Sequence, residues 1–351
     1  MLTRKIIRRA YRSKFLHIAD NLEGNTNSGI RATVFGATGC VGNAVVNKLA
    51  HIGSDVIMPT RFRKEHDDKV KTLKHEGDQS MSYIMWDFNY NDPMAISRSV
   101  AKSNVVINLV GPSKYTKNLS TFESVNVETP RRIAREARKR GAKKLVHFSA
   151  VGVAPNSPSL DLRTKYYGEQ AVRDEFPEAI IIRPTLMIGW DDHFSYTFKK
   201  MQEYCFSFIP FHGDLNTLKQ PIMDHDVGLA VFNALKLSEA NGQTFELGGP
   251  NVYTRRELYE LMINILKRPM SLAKIPETTA MNITKYFNTN YFNREDILKD
   301  SIDMIIQKRE GVKTIEDLFV RPGSIVPFLE KSLQEEATPV VNTIEDIQAR
   351  K

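Results

Sequence analysis

The residues near the start of the chain best suited to chemistry are Gly36-Ala37-Thr38-Gly39-Cys40-Val41-Gly42, a Gly-x-x-Gly-x-x-Gly turn. Glycines at this spacing bend the backbone sharply and leave no Cβ in the way of a bulky anion. A helix opening at such a turn aims free N–H groups at the bound charge, so the chemistry implied is capture of a dinucleotide pyrophosphate. A second group follows the apolar run Asp55-Val56-Ile57-Met58-Pro59. A fold that prefers NAD places an acid near the end of that strand, where it bonds the ribose 2′-hydroxyl. Here the run ends in Thr60-Arg61-Phe62-Arg63-Lys64. Arg61, Arg63 and Lys64, with no carboxylate among them, suit a 2′-phosphate that arginine grips in a bidentate fork. NADPH is therefore expected rather than NADH, with a solvated basic loop as the alternative reading.

The elements that must position these groups are legible around them. The glycine turn is informative only between a strand and a helix. Ala32-Thr33-Val34-Phe35 before it is β-branched and aromatic, and Asn43 to Ala50 after it reads as a helix. A third strand over 82–86 leads to Asp87-Phe88, placed to touch the adenine. The fourth, Asn104 to Gly111, ends in Leu109-Val110-Gly111, where the glycine lets the backbone lie against the cofactor. A basic helix around Arg131 to Arg140 follows, with its charges read as a solvated face. Lys144 to Ala150 makes a fifth strand ending in Ser149. Ala179-Ile180-Ile181-Ile182-Arg183-Pro184 makes a sixth, apolar enough to be buried on both faces. Strands alternating with helices predict a doubly wound parallel sheet of α/β class.

Composition narrows the function classes. Of 351 residues, 41% are hydrophobic and 26% charged, as in a soluble globular protein. No apolar run approaches the ~20 residues of a membrane span. The net charge of +8 is uneven: residues 1–19 hold Arg4, Lys5, Arg8, Arg9, Arg12 and Lys14 and no acid, and without these six the rest carries +2. A nucleic-acid partner therefore has no electrostatic footprint beyond the leader. Arg-rich, acid-free and amphipathic, residues 1–19 fit a mitochondrial transit peptide; a basic docking arm or a surface helix are the competing readings. Residues 1–28 are taken as leader and linker. Cys40 and Cys205 give neither a disulfide framework nor a metal spacing. His193, His212 and His225 have no metal-like spacing, so no metal is expected, and His147, inside an apolar strand, is read as a core histidine.

Together these pieces resemble the short-chain dehydrogenase/reductase superfamily in its extended and atypical branch, over roughly residues 30–250. The resemblance is carried by Thr38 to Gly42, Val125-Asn126-Val127-Glu128-Thr129, Ser149, Lys165-Tyr166-Tyr167-Gly168-Glu169, Arg183-Pro184-Thr185-Leu186-Met187-Ile188-Gly189 and Gln220 to Val227. It implies a Rossmann-type domain over 29–250 and a smaller, mainly helical lobe over 251–351, with 190–215 on the substrate side. It also implies cofactor contacts from Gly36, Ala37, Thr38, Gly39, Cys40, Val41, Gly42, Asp87, Phe88, Leu109, Val110, Gly111, Asn126, Ser149, Lys165, Pro184, Thr185 and Leu186, besides the three cations. Catalysis in the superfamily resembles a Tyr-x-x-x-Lys pair helped by a serine. Lys165 matches the lysine, but four residues before it stands Asp161. A carboxylate beside a lysine is ionised at neutral pH and has no proton to give. No catalytic residue is expected.

Taken whole, the chain resembles the NAD(P)H-binding accessory subunits of mitochondrial respiratory complex I, the NADH:ubiquinone oxidoreductase. Further residues carry this likeness: Gly53 to Arg61, Ser103 to Gly111, and Val172 to Ile181. It implies a tightly held structural NADPH, no turnover, and a place on the matrix side of the inner membrane. There the partners are other complex I subunits where the matrix and membrane arms join, near quinone entry, with peripheral lipid contact. An active NADPH-dependent reductase or epimerase, or a free assembly factor, are the alternatives. Beyond Pro250, Tyr253 to Lys267 reads as an amphipathic helix with Leu258, Leu261, Ile263 and Leu266 on its apolar stripe. Phe194, Tyr196, Phe198, Tyr204, Phe206, Phe208 and Phe211 are expected in the core of the second lobe or at a contact surface. The tail from Thr338 reads as an arm on a neighbour or as disordered.

Overall fold

The computed structural model describes residues 28–60, 83–88, 92, 94–112, 119–189, 192–204, 208–267, 270–286, 294–307 and 312–335. The basic leader, the run from Arg61 to Lys64, Cys205, Phe206 and the tail from Thr338 lie outside them.

The apolar runs form β1 (Arg31–Phe35), β2 (Asp55–Thr60), β3 (Tyr83–Asp87), β4 (Val105–Asn108), β5 (Lys144–Phe148) and β6 (Ile180–Pro184). Shorter strands follow: β7 (Met187–Ile188), β8 (Phe208–Phe211), β9 (Leu218–Lys219), β10 (Ile222–Met223), β11 (Thr244–Leu247), β12 (Tyr253–Thr254), β13 (Ser271–Lys274) and β14 (Lys313–Thr314). The helices of the first domain are α1 (Cys40–His51), α2 (Ala95–Val100), α3 (Leu119–Glu123), α4 (Thr129–Lys139) and α5 (Leu160–Glu175). Then come α6 (His193–Tyr204), α7 (Asp224–Lys236), α8 (Arg255–Leu266), α9 (Glu277–Tyr286), α10 (Arg294–Asp300) and α11 (Val326–Glu335).

The main sheet has eight strands in the order β14-β11-β6-β5-β4-β1-β2-β3, every neighbouring pair parallel. Its chain order reverses between β1 and β4, and ligands of such sheets sit in the crevice beyond the strand ends at that reversal. Successive residues of a strand face opposite sides, and the core divides accordingly. Ala32, Val34, Val105, Ile107, Ile180 and Ile182 pack with α1 and α7 on one face. Phe35, Val106, Leu145 and Ile181 pack with α2, α4 and α5 on the other. Burying an isoleucine side chain contributes about 1.5–3 kcal/mol, and Ile180, Ile181 and Ile182 all have 0% exposure.

The second lobe has its own core, built from Ile188, Phe198, Ile209, Leu258, Met262 and Leu329. Its composition corrects two expectations. Residues after 250 do not belong to it alone: β14 pairs with β11 at the sheet edge, and Ile315, Leu318 and Val320 join the first core. A strand of two residues carries no periodic signal, which is why the sequence hides this return. On α8 the buried face is Arg255, Leu258, Tyr259, Met262 and Ile265, while Leu261, Ile263 and Leu266 flank it half-buried. Thr254 and Glu257 form a capping box that fixes where this helix starts. Of the expected aromatics, Phe198 is fully buried, Phe194 and Phe211 are half-buried against the lobe core, and Tyr196 and Phe208 are each 40% exposed.

Candidate functional site

The glycine turn closes β1 and opens α1 at the reversal of the sheet. Gly36 has φ +80°, and a Cβ there would lie 2.8 Å from the Leu109 carbonyl oxygen, so β4 presses against the turn. A Cβ on Gly42 would meet the carbonyl oxygens of Gly36 and Ala37 at 2.4 Å, which seats the helix on its own turn. Gly39 differs from both. Its backbone is extended at φ −83°, and the nearest atom to an added Cβ is the Gly36 oxygen at an ordinary 3.5 Å. Nothing in the fold demands a glycine here; an incoming anion would. Gly39 is also the N-cap of α1, with no side-chain cap and no acid in the first helical turn. The first N–H groups of this helix and the positive end of its dipole therefore point where a negative partner would sit.

Six of the expected contacts converge on one cavity of about 430 Å³ between the lobes: Cys40, Ser149, Lys165, Pro184, Thr185 and Leu186. Ser149 Oγ is buried there and has no hydrogen-bond partner among the described residues, a cost unless something in the cavity bonds it. Thr185 Oγ1 is spoken for, donating to the Gln220 carbonyl at 2.5 Å. Leu109, Val110 and Gly111 lie just past β4, where Leu109 N donates to the Phe35 carbonyl at 2.9 Å. The second lobe adds Phe194, Phe198 and Met201 to the cavity wall.

Two of the expected contacts have partners elsewhere in the structure. Phe88 is only 3% exposed, its ring 5.7 Å edge-on from Phe35, so its side chain packs into the core. Asn126, within a π-helical segment (Ser124–Glu128), is buried and donates Nδ2 to Asp161 Oδ1 and to Thr164 Oγ1, both at 2.9 Å. Its amide is thereby turned onto Asp161. Arg61, Arg63 and Lys64 lie outside the described residues, and of Asp87 only the backbone is described.

Asp161 is the centre of the charged group. It is 1% exposed, and its Oδ2 receives Lys165 Nζ at 3.1 Å and Lys299 Nζ, from α10, at 2.5 Å. Burial alone would push this carboxyl up, but the two ammonium groups and the Asn126 amide hold it well below the usual carboxylate range. Burial also works against both lysines. Lys299, facing Asp161 with Asp296 and Glu295 nearby, stays above the ordinary lysine value, whereas Lys165, with Asp161 alone opposite it, is left below. Nothing in the sequence pairs Lys299 with Asp161, which stands 138 positions away. Arg255 was equally hidden: it is 2% exposed and bonds Asp300 at 2.9 Å.

His147 sits in the core as read, its Nδ1 3.1 Å from Asn108 Nδ2. Burial pushes its pKa down to about 4, with Glu169 opposing and Lys165 adding to the fall. An unfolded histidine titrates near 6.5, so between about pH 6.5 and 4 the unfolded chain takes up a proton that the native imidazole refuses. Stability should fall through that window by about 3 kcal/mol from this group and be unaffected by it above. His147→Gln is expected to flatten that part of a melting-temperature profile; parallel profiles for the two proteins would show that His147 is not buried neutral.

Residues 32–188 match the model of the NAD dependent epimerase/dehydratase family. The chain is 37% identical over 312 residues to the mouse mitochondrial NADH dehydrogenase (ubiquinone) 1 alpha subcomplex subunit 9, covering 88% of this chain and 80% of that one. It is 32% identical over 310 residues to the Neurospora crassa mitochondrial NADH-ubiquinone oxidoreductase 40 kDa subunit, covering 87% and 79% respectively. Among solved structures, UDP-glucose 4-epimerase from Bifidobacterium longum, in complex with NAD+ and UDP, superposes with a TM-score of 0.66. That likeness, at 14% identity over 88% of this chain and 98% of the other, is one of fold.

Proposed function

The chain belongs to the family of the NADH dehydrogenase (ubiquinone) 1 alpha subcomplex subunit 9, and on that premise we propose that it is a non-catalytic accessory subunit of mitochondrial complex I that holds NADPH as a structural element. The observation that carries the non-catalytic reading is the state of Asp161. Such a cofactor supplies hydride transfer, which needs a proton donor beside it. Asp161 stands four residues before Lys165, is held ionised, and already accepts from two lysines and an amide. It has no proton to give. Lys165, drawn onto the same carboxylate, has lost the tyrosine it would tune.

The cofactor fits the residues present. The room at Gly39, the uncapped start of α1 and the orphaned Ser149 hydroxyl each call for a ligand group. Gly36 to Gly42 would hold the pyrophosphate, with Leu109 to Gly111 beside them. Ser149, Lys165, Pro184, Thr185 and Leu186 would hold the nicotinamide end, and Asp87 would lie towards the adenine. Arg61, Arg63 and Lys64 would read the 2′-phosphate, an assignment that rests on sequence. The names of the relatives support a mitochondrial setting among complex I subunits. We place the chain on the matrix side of the inner membrane, near the junction of the two arms, where it supports assembly.

Blue-native separation of solubilised mitochondrial membranes tests this membership. The chain should migrate with complex I; a free soluble protein that turns over NADPH would favour the reductase alternative, and transient association with subassemblies alone would favour an assembly factor. Arg61→Ala tests the choice of nucleotide. Losing a charge-assisted bond of ~1.5–3 kcal/mol should weaken NADPH at least tenfold and leave NADH nearly unchanged. Equal weakening in paired titrations would mean that Arg61 does not read the 2′-phosphate.

A further inference from the structure

The short helix α10 is tied to both lobes by charged side chains. Glu295 and Lys299 lie one turn apart, a spacing that puts both on one face. Both address the start of α5 in the dinucleotide domain. The Glu295 carboxylate receives the Ser159 hydroxyl at 2.7 Å and the Asp161 backbone N–H at 3.2 Å, where a negative charge also meets the positive end of α5. Lys299 Nζ donates to Asp161 Oδ2 on the same helical turn. Asp296 and Asp300, again one turn apart, address the second lobe. Asp296 lies 2.9 Å from His193 Nε2 on α6, and Asp300 receives Arg255 of α8 at 2.9 Å and His212 at 3.1 Å. Lys219, the second residue of β9, donates Nζ to the carbonyls of Lys299 and Ile302 at 3.0 and 2.7 Å, finishing the helix with a cation.

These attachments surround the place where the nicotinamide end would sit. Asp161, Lys165, His193, Arg255, Lys299 and Asp300 all line the same cavity. Ser159 has no exposed surface and Glu295 is 8% exposed. Opening the cavity would strand such charges without partners, and an unpaired buried charge is costly.

From this geometry we propose that α10 is a clasp: Glu295 and Lys299 hold the second lobe shut on the dinucleotide domain, so that a bound nucleotide is retained rather than exchanged. The proposal rests on the reading that the chain binds NADPH, and gives that reading its retention device. The position left without a proton donor has become an anchor between lobes. Glu295 and Lys299 are positioning residues, acting through α5 and not on the nucleotide itself.

The test is the rate at which full-length protein, loaded with NADPH, releases it into excess NADP+, followed by nicotinamide fluorescence. Glu295→Gln keeps the side-chain shape and removes the charge; Lys299→Met removes the ammonium and keeps most of the stem. Glu246→Gln weakens a comparably buried ion pair, with Arg183 on β6, and controls for general loosening. Release is expected to be at least tenfold faster in both clasp variants and within twofold of wild type in the control. If Lys299→Met fails to fold, Glu295→Gln decides alone. Unchanged release in the clasp variants, or an equal rise in the control, overturns the clasp while leaving NADPH binding intact. A wild-type chain that retains no NADPH overturns both.

Discussion

Gly39→Val is expected to abolish nucleotide binding while leaving the nucleotide-free fold intact. The two halves of that expectation come from different facts. The backbone at Gly39 is extended, at φ −83° and ψ 172°, a conformation valine adopts freely, and an added Cβ meets only the Gly36 oxygen at 3.5 Å. The same Cβ and its two methyl groups would stand over the first N–H groups of α1, where the proposed pyrophosphate would come close. Urea unfolding of the nucleotide-free variant should match wild type to within about 0.5 kcal/mol, the range of benign substitutions. With nucleotide at a thousandfold excess over Kd, wild type should gain about 4 kcal/mol and the variant nothing. Against a typical total of ~5–15 kcal/mol, a loss of that size should show as lower abundance of the subunit in its complex. A variant that unfolds without ligand would mean Gly39 serves the turn itself; one that still gains stability from NADPH would move the pyrophosphate elsewhere.

The second large effect is expected at Asp161. Asp161→Asn keeps the shape and the contact with Asn126 within reach but leaves Lys165 and Lys299 facing each other without their anion. Removing one partner of a buried ion pair costs about 3–5 kcal/mol, and here two cations lose the same partner. The pH dependence has a definite sign. A carboxylate held below its ordinary value contributes stability in full above the unfolded pKa of about 3.9, and that contribution drains away as pH falls below it towards the folded value. Wild type should therefore lose this part of its stability only in acid, whereas Asp161→Asn should lack it already at neutral pH and lose less on acidification. Denaturant midpoints at pH 7 and pH 3 check both statements. A neutral-pH midpoint equal to wild type would show that the lysines find other partners, and would remove the anchor from the account.

Much of this architecture could be read before any coordinates. The strand runs and the glycine turn were legible because each rests on local chemistry: near-continuous apolar runs that suit strands buried on both faces, and a bend that forbids a Cβ at Gly36 and Gly42. The pairing of Lys165 with Asp161 was legible too, since the two are one helical turn apart and need no tertiary information to meet. The rest depends on contacts between distant segments. Lys299 and Glu295 lie on a seven-residue helix with no pattern to mark it, and their partners are more than 130 positions away. Asn126 looked like a cofactor residue by its motif, yet the tertiary position of Asp161 claims its amide. Phe88 stands at a strand end as expected, but the ring of Phe35 draws it into the core. β14 closes the sheet edge with two residues, too few for any periodicity.

The central claim is that the chain holds NADPH without turning it over, and one measurement tests it most directly. Complex I purified from native membranes would be resolved into subunits under non-denaturing conditions, and the nucleotide released from this chain identified and counted by mass spectrometry. The account predicts NADPH, stoichiometric with the chain and undiminished after prolonged incubation with candidate carbonyl substrates. A chain without nucleotide, or one whose NADPH is oxidised during that incubation, would contradict it.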